Sequence, residues 1–453
     1  MTFPLPLRDF RWMSQEEIDR FDPMRDVSEK TGPGYILEVD LEYPSNLHFP
    51  HNDYPLAPEK MDITEDMLSP YSLLCKKIIY GEKARPIPNK LTSTFNSRKN
   101  YLIHGLNLQL CLRLGLKLKK IHRIITFHQE PFIAPYIHYC TRKRKEAKTE
   151  TERTFWKLII NSLYGKMIEG WKNRMDCHFN YSREQASKRA SSPYYIGAVP
   201  LTNDCSMTFS RQKRIQLNKQ QWAIGFSILE ISKLVMQRLY YDTIQPRFGV
   251  ENTELLMTDT DSFLMKITSK LSRTECMRML EDVMDFSNYP PSHPLFSEKR
   301  AKELGYLKNE IPVGRITSFV GLKSKTYGIT VDGKSEVIKA KGIPSYTKRT
   351  IPVSSMMDCL HRIRDYQAEF NQIRSVDHVI TLVHSKRLAF SSFDDKRYLL
   401  CPQHSVPYGS CLIPHKGNKC VFCDAIRERF AKFTLSSNPP LYSPVTEWKH
   451  QLK

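Results

Sequence analysis

The chain has 453 residues, enough for two to four domains, and its 40% hydrophobic content sets it apart from disordered chains. Lys and Arg outnumber Asp and Glu to give a formal net charge of +20, which predicts a polyanionic partner such as nucleic acid. No apolar run reaches the ~18 residues that a membrane-crossing helix needs, no secretory leader is apparent, and the eleven cysteines, odd in number and without framework spacing, predict reduced thiols inside a cell.

Residues 1–34 combine prolines, several acids and the breaker Gly32-Pro33-Gly34, which reads as a connector. Residues 35–128 alternate in a way that predicts strands, interrupted by a short Leu-rich helix from Leu106 to Leu114. His48, His51 and Asp53 fall close together there; a metal group is one reading, and an ordinary polar loop is the preferred one. From Arg142 to Phe155 the chain is rich in helix formers and leads into Lys157-Leu158-Ile159-Ile160-Asn161-Ser162-Leu163-Tyr164-Gly165. At about 100° per residue with Lys157 as zero, Arg153 falls near −40°, Asn161 near +40° and Tyr164 near −20°. A cation, an amide and an aromatic ring on one stripe suit a nucleoside triphosphate. The plainer reading is a solvated face of an amphipathic helix.

Residues 171–218 are polar and turn-rich. Trp222 to Tyr241 shows helical apolar spacing and is expected to be a buried helix. Then comes Met257-Thr258-Asp259-Thr260-Asp261-Ser262-Phe263-Leu264, two carboxylates one residue apart between apolar flanks. The pattern predicts a β-hairpin with Asp-Thr-Asp at its tip. Residues i and i+2 of an extended chain point the same way, and two like charges on one side call for a cation between them. Mg²⁺ suits such a mount, since it binds through few carboxylates plus substrate phosphates. An Asp-rich surface turn is the alternative when this motif is taken alone. Residues 270–286 are expected to be helical with Met277, Met279, Leu280 and Met284 in a core, and 351–390 to be helical as well. Near the end, Cys401, His404, Cys411, His415, Cys420 and Cys423 cluster; Cys420-x-x-Cys423 has zinc-ligand spacing, with Cys411 and His415 as a conceivable second pair, and a divergent tail without metal as the other reading.

Taken together, Lys157-x-x-x-Asn161-Ser162-x-Tyr164-Gly165 and Asp259-Thr260-Asp261-Ser262, in that order, resemble the fingers and palm signatures of family B DNA polymerases, with Met257 where the palm motif usually has Tyr. Lys325-x-Tyr327 is similar to that family's element holding the primer strand, and Lys339-Ala340-Lys341-Gly342-Ile343 to its next basic contact. The branch most resembled is the protein-primed one of Polinton (Maverick) type, also described as DNA polymerase type B of organelles and viruses. Segments 34–44, 51–59, 116–123 and 392–398 are similar to it. The resemblance implies an α+β, right-hand polymerase fold. Residues 1–34 would be a palm remnant, 35–128 palm strands with an insertion for a terminal protein, and 129–170 the fingers. Residues 171–218 would be a second insertion, 219–325 the palm with the metal hairpin, 326–395 the thumb and 396–453 a divergent tail.

The same resemblance implies an enzyme, a DNA-directed DNA polymerase that joins dNTPs to a primer 3′-hydroxyl or a protein primer with two Mg²⁺ or Mn²⁺ ions. Asp261 would be the direct metal ligand and Asp259 a weaker one. Lys157 and Arg153 would face the phosphates, with Lys145 as a further candidate, and Asn161 and Tyr164 would border the new base pair. Lys325, Tyr327, Lys339 and Lys341 would hold primer-template DNA. A terminal protein is a conceivable further partner, and a nuclear location is expected in a eukaryotic host. One element of the family is not found. Its first metal motif places Tyr five residues after an Asp, whereas Tyr43 follows Asp40 by three, and a shift of two in spacing breaks the match. We therefore expect that the first metal strand and the exonuclease domain precede Met1 in a longer relative, that the chain is N-terminally truncated, and that it extends primers weakly or not at all. A non-catalytic DNA-binding remnant of a mobile element is the competing expectation. A reverse transcriptase, which also pairs aspartates on a hairpin, fits Lys157–Gly165 and Lys325-x-Tyr327 poorly.

Overall fold

The computed structural model describes residues 1–29, 32–81, 89–169, 175–211, 221–333, 335–376 and 379–413. They mix helices and sheets and divide into two compact units. The first comprises Met1–Glu38, Leu102–Gln109 and His122–Leu234, the second Val39–Tyr101, Leu110–Ile121 and Val235–Lys453. Among the described residues, no helix is long and apolar enough to cross a membrane. A four-stranded sheet runs in the order Leu5–Trp12, Lys117–Glu130, Gly34–Glu42, Arg98–His104.

In the first unit, the helices Ala134–Glu146 and Glu150–Met167 appear where helix formers were densest. The second opens with a capping box: Thr149 Oγ1 accepts from the Glu152 N–H at 3.2 Å, and Glu152 Oε2 accepts from the Thr149 N–H at 3.3 Å. Its Ile160, Leu163 and Met167 pack against Ile133, Ile137, Ile224 and Ile231. The last two belong to the helix Trp222–Arg238, which bears out the helical spacing there; a turn of π-helix, Leu239–Ile244, follows it. The polar stretch after Glu150–Met167 is more regular than its turn residues suggest. Met175–Asn180, Cys205–Arg211 and Tyr195–Thr202 form an antiparallel sheet in that order, with the helix Arg183–Ala190. Buried Asn180 ties that sheet internally through Ser206 and Thr208.

In the second unit, Thr253–Thr258 and Phe263–Ile267 form the expected antiparallel hairpin. Ile316–Lys323, Thr326–Val331 and Ser335–Lys339 form a three-stranded sheet packed by the helix Val353–Arg362 through Val320, Leu322, Val353, Met356 and Cys359. Residues 351–390 are not helical throughout. The helix stops at Ile363, whose φ of 46° is left-handed, and Asp365–Val376 pairs with Val379–Ser391 as a long hairpin. The cause is a period-two pattern: Ala368 and Phe370 alternate with polar residues and reach the core beside Ala389 and Phe390. Residues 270–286 likewise hold only the short helix Arg273–Arg278. Beyond it, buried Asp285 accepts from the N–H groups of Ser287 and Lys302 at 2.9 and 2.8 Å and pairs with Lys308; the Ser287 bond is local and competes with a helix. Leu280 and Met284 are in the core as expected, with Met277 and Met279 packed against it. The helix Pro70–Tyr80 was not anticipated, although Ser69 at the N-cap, Pro70 at the first position and Gly81 beyond the end are start and stop signals.

Candidate active site

The tip of the Asp259–Ser262 turn is strained. The Asp261 N–H donates to Asp259 O at 2.6 Å, across a three-residue turn whose centre, Thr260, has φ +58°. This is the rarer hand of a γ-turn, and a β-branched residue is poorly suited to it. Ser262 Oγ donates to Asp259 O at 3.2 Å, and the Asp259 N–H donates to Ser262 O at 3.1 Å. The extended-chain alternation that would set both carboxylates on one side therefore does not apply at the tip, because Thr260 is left-handed rather than extended.

A second strained turn meets the first through Asp259. Lys325 occupies the two-residue turn between Ile316–Lys323 and Thr326–Val331, at φ +60°, where Gly is usual. Its Nζ lies 2.6 and 2.7 Å from the two carboxylate oxygens of Asp259. Both side chains are about half exposed (52% and 42%). Tyr327, half-buried, has its hydroxyl pKa raised by burial, with Asp259 adding to the rise and Lys325 opposing it. Tyr327 pairs across the sheet with exposed Lys339, so the two share a face. Lys341, also exposed, follows just beyond that strand. Asp259, Lys325, Tyr327 and Lys339 are thus brought together. Asp261 is exposed and has no ion pair among the described residues.

The remaining predicted residues lie in the first unit, on Glu150–Met167. Arg153, Lys157 and Asn161 are exposed and Tyr164 is half-buried, its hydroxyl pKa raised by burial. The stripe lies to the side of the half-buried Ile160/Leu163/Met167 face, as the helical wheel places it. Arg153 donates to Ala147 O at 3.3 Å and pairs with Glu150. Lys145, at the basic end of the preceding helix, is exposed.

Asp40 accepts from the Asn100 N–H at 2.8 Å. It shares a strand face with Glu38, paired to Arg123, and Glu42, paired to Lys119, opposite buried Leu37, Val39 and Leu41. His51 and Asp53 are engaged by protein groups. Tyr43 Oη accepts from the Leu56 N–H and lies 2.8 Å from His51 Nδ1. Burial lowers the His51 pKa to about 4. These contacts favour the polar-loop reading over a metal group. Near the end, Cys401 Sγ lies 3.2 Å from His404 Nδ1 and accepts from the Gln403 and His404 N–H groups, while the Cys411 N–H donates to His48 Nδ1. His415, Cys420 and Cys423 lie outside the described residues. Among the described residues, no group of three or more His, Cys, Asp or Glu is placed to hold a metal ion. Asp259 and Asp261 still fit the modest protein share of a Mg²⁺ site, which takes one or two carboxylates and substrate phosphates.

No family model matches the sequence, and no curated protein matches it. Among solved structures, the chain is similar to phi29 DNA polymerase complexed with primer-template DNA and incoming nucleotide substrates, with a TM-score of 0.42 at 14% identity. The similarity covers 79% of this chain and 58% of that one, so the chain spans less than two thirds of that polymerase's length.

Proposed function

We propose that this chain carries the nucleotidyl-transfer site of a DNA-directed DNA polymerase of the protein-primed B type, with Asp261 and Asp259 as its metal carboxylates. The observation that carries the reading is the meeting of two strained, non-glycine turns, at Thr260 and Lys325, joined by the Asp259–Lys325 ion pair. Backbone strain persists where surrounding structure enforces it, and it clusters at functional sites. The sequence motifs on both turns, and the fingers-like stripe on Glu150–Met167, support the same reading. In it, residues 129–170 act as fingers, 219–325 as palm and 326–395 as thumb.

When bound, a divalent ion would supply the charge that activates a primer hydroxyl and neutralises pyrophosphate. The chain's own residues hold and orient. Asp261 offers a carboxylate without an ion pair among the described residues, and the strained turn fixes its backbone. Lys325, Tyr327 and Lys339 line a cationic, aromatic strip suited to a primer backbone. Lys157 and Arg153 offer charge to phosphates, and Asn161 and Tyr164 offer an amide and a ring to a base pair. With two carboxylates at the turn rather than the family's three, extension is expected to be weak and stronger in Mn²⁺.

Primer extension on a primed template, in Mg²⁺ and in Mn²⁺, tests this. Asp261→Ala should abolish extension and leave duplex binding unchanged. Binding should weaken steeply as salt rises. Extension that survives Asp261→Ala would sink the assignment. The second reading, a DNA-binding remnant without catalysis, draws support from Lys325 engaging both oxygens of Asp259 and from Met257 in place of Tyr. It predicts salt-dependent duplex binding with no extension in either metal.

A further inference from the structure

Two segments singled out in the sequence, around His51–Glu59 and Ser392–Tyr398, have no role in the site as described. The structure connects them to it. Asp53 Oδ2 accepts from the Leu255 N–H at 3.0 Å, and Leu255 lies in the strand that delivers Asp259. The hairpin ladder slips by one residue between Leu255 and Met257, immediately beyond that bond. Such a bulge re-aims everything that follows it in the strand, and bulges are frequent beside active sites. The next residue, Tyr54, packs edge-on against Phe263 at the far side of the same turn, with ring centroids 5.6 Å apart, and its carbonyl accepts from the Tyr241 hydroxyl at 2.5 Å. The loop thus touches the hairpin at its root and near its tip.

Asp53 is itself held. Asn52 Nδ2 donates to Asp53 Oδ1 at 2.9 Å. Arg397 Nη1 donates to Asn52 O at 3.0 Å, and the guanidinium is closed on its other side by Ser405, with Nε donating to Oγ at 2.8 Å and Nη2 to O at 3.0 Å. Ser405, Arg397, Asn52, Asp53 and Leu255 form one continuous hydrogen-bonded chain within the second unit.

We propose that Asp53 is a positioning residue for the aspartate turn, anchored by Arg397 through Asn52. This rests on the polymerase reading for its consequence, although not for its geometry. The carboxylate fixes the bulged strand, and the planar fork of Arg397 fixes the loop that carries the carboxylate, a task that Lys cannot share because it lacks the fork. The two segments are thereby assigned to aiming Asp259 and Asp261 rather than to contacting substrate.

Hydrogen exchange followed by mass spectrometry on the full chain, with primer extension alongside, tests the proposal in Asp53→Ala, Asp53→Asn and Arg397→Lys. Losing one charge-assisted hydrogen bond should speed exchange in 253–258 about tenfold in Asp53→Ala and leave 316–331 unchanged. Arg397→Lys should speed the same segment. Asp53→Asn keeps an oxygen for Leu255 but opposes the Asn52 amide with a second donor, so its effect should be smaller. In extension, the maximal rate should fall about tenfold while the KM for nucleotide stays constant. Unchanged exchange in 253–258 for Asp53→Ala, or an Arg397→Lys effect confined to 397–406, overturns the proposal. If Asp53→Ala does not fold, Asp53→Asn decides by the same exchange criterion. If the wild type extends nothing, the exchange result still decides on Asp53, and only the polymerase reading fails.

Discussion

Lys325→Met removes the cation from the aspartate turn while keeping most of the side-chain volume. The ammonium lies 2.6 and 2.7 Å from the two oxygens of Asp259, yet both side chains are about half exposed. Ion pairs with that much solvent contribute about 0.2–1 kcal/mol, and holding two side chains in one geometry takes back part of the Coulomb gain. Loss of the pair should therefore shift overall stability by less than about 1 kcal/mol. The same energy now opposes any divalent cation seeking Asp259, so Mn²⁺ should bind the variant about two- to fivefold more tightly, since 1.4 kcal/mol corresponds to tenfold. Calorimetric titration with Mn²⁺ at low ionic strength measures this, and the difference should shrink in ~1 M salt, where the Debye length falls to about 3 Å. If Lys325 exchanges Asp259 for a primer phosphate when DNA binds, the variant should also lose about one unit from the log–log salt slope of duplex binding. Mn²⁺ binding that is unchanged or weaker in the variant would refute the idea that Lys325 and a metal compete for Asp259.

Three further outcomes are expected. The imidazole of His51 lies 2.8 Å from the Tyr43 hydroxyl, and its folded pKa of about 4 lies below the unfolded value of 6.5. The unfolded chain therefore binds the proton first, and stability should fall as pH drops from about 6.5 to about 4, by about 3 kcal/mol from this group. Urea unfolding of His51→Asn should show a flatter slope in that window, and an unaltered slope would contradict the assignment. At Gly34, an added Cβ would lie 2.1 Å from Phe127 Cε2, and that ring is buried, so Gly34→Ala should cost about 1–3 kcal/mol in thermal or urea unfolding. Thr260→Gly should relieve the left-handed strain and stabilise the fold by up to about 1 kcal/mol. If that strain aims Asp261, extension should fall in the same variant; a variant no more stable than the wild type would show that the turn is unstrained.

Local patterns were legible where periodicity is long and apolar. The stretch from Trp222, the helix Glu150–Met167 and the Asp-Thr-Asp hairpin all form where spacing predicted them, because a single face or a single turn decides them. Within 351–390 the expected helix holds only over Val353–Arg362 and strands follow, because short apolar alternation and helical spacing overlap until a core selects one. At His51 and Asp53 the sequence left a metal group open beside the preferred polar loop, and tertiary contact with Tyr43 and Leu255 decided for the loop.

Sequence alone determined which residues are candidates for the chemistry: the two aspartates at a turn, the cation–amide–ring stripe, the Lys-x-Tyr strand. Their identities and short spacings are properties of consecutive residues. Only the tertiary structure decided that Lys325 meets Asp259 across 66 positions, and that Asp53 holds Leu255 across 202. Hydrogen bonds and ion pairs act over a few ångströms in space, and the sequence does not record which distant residues folding brings that close.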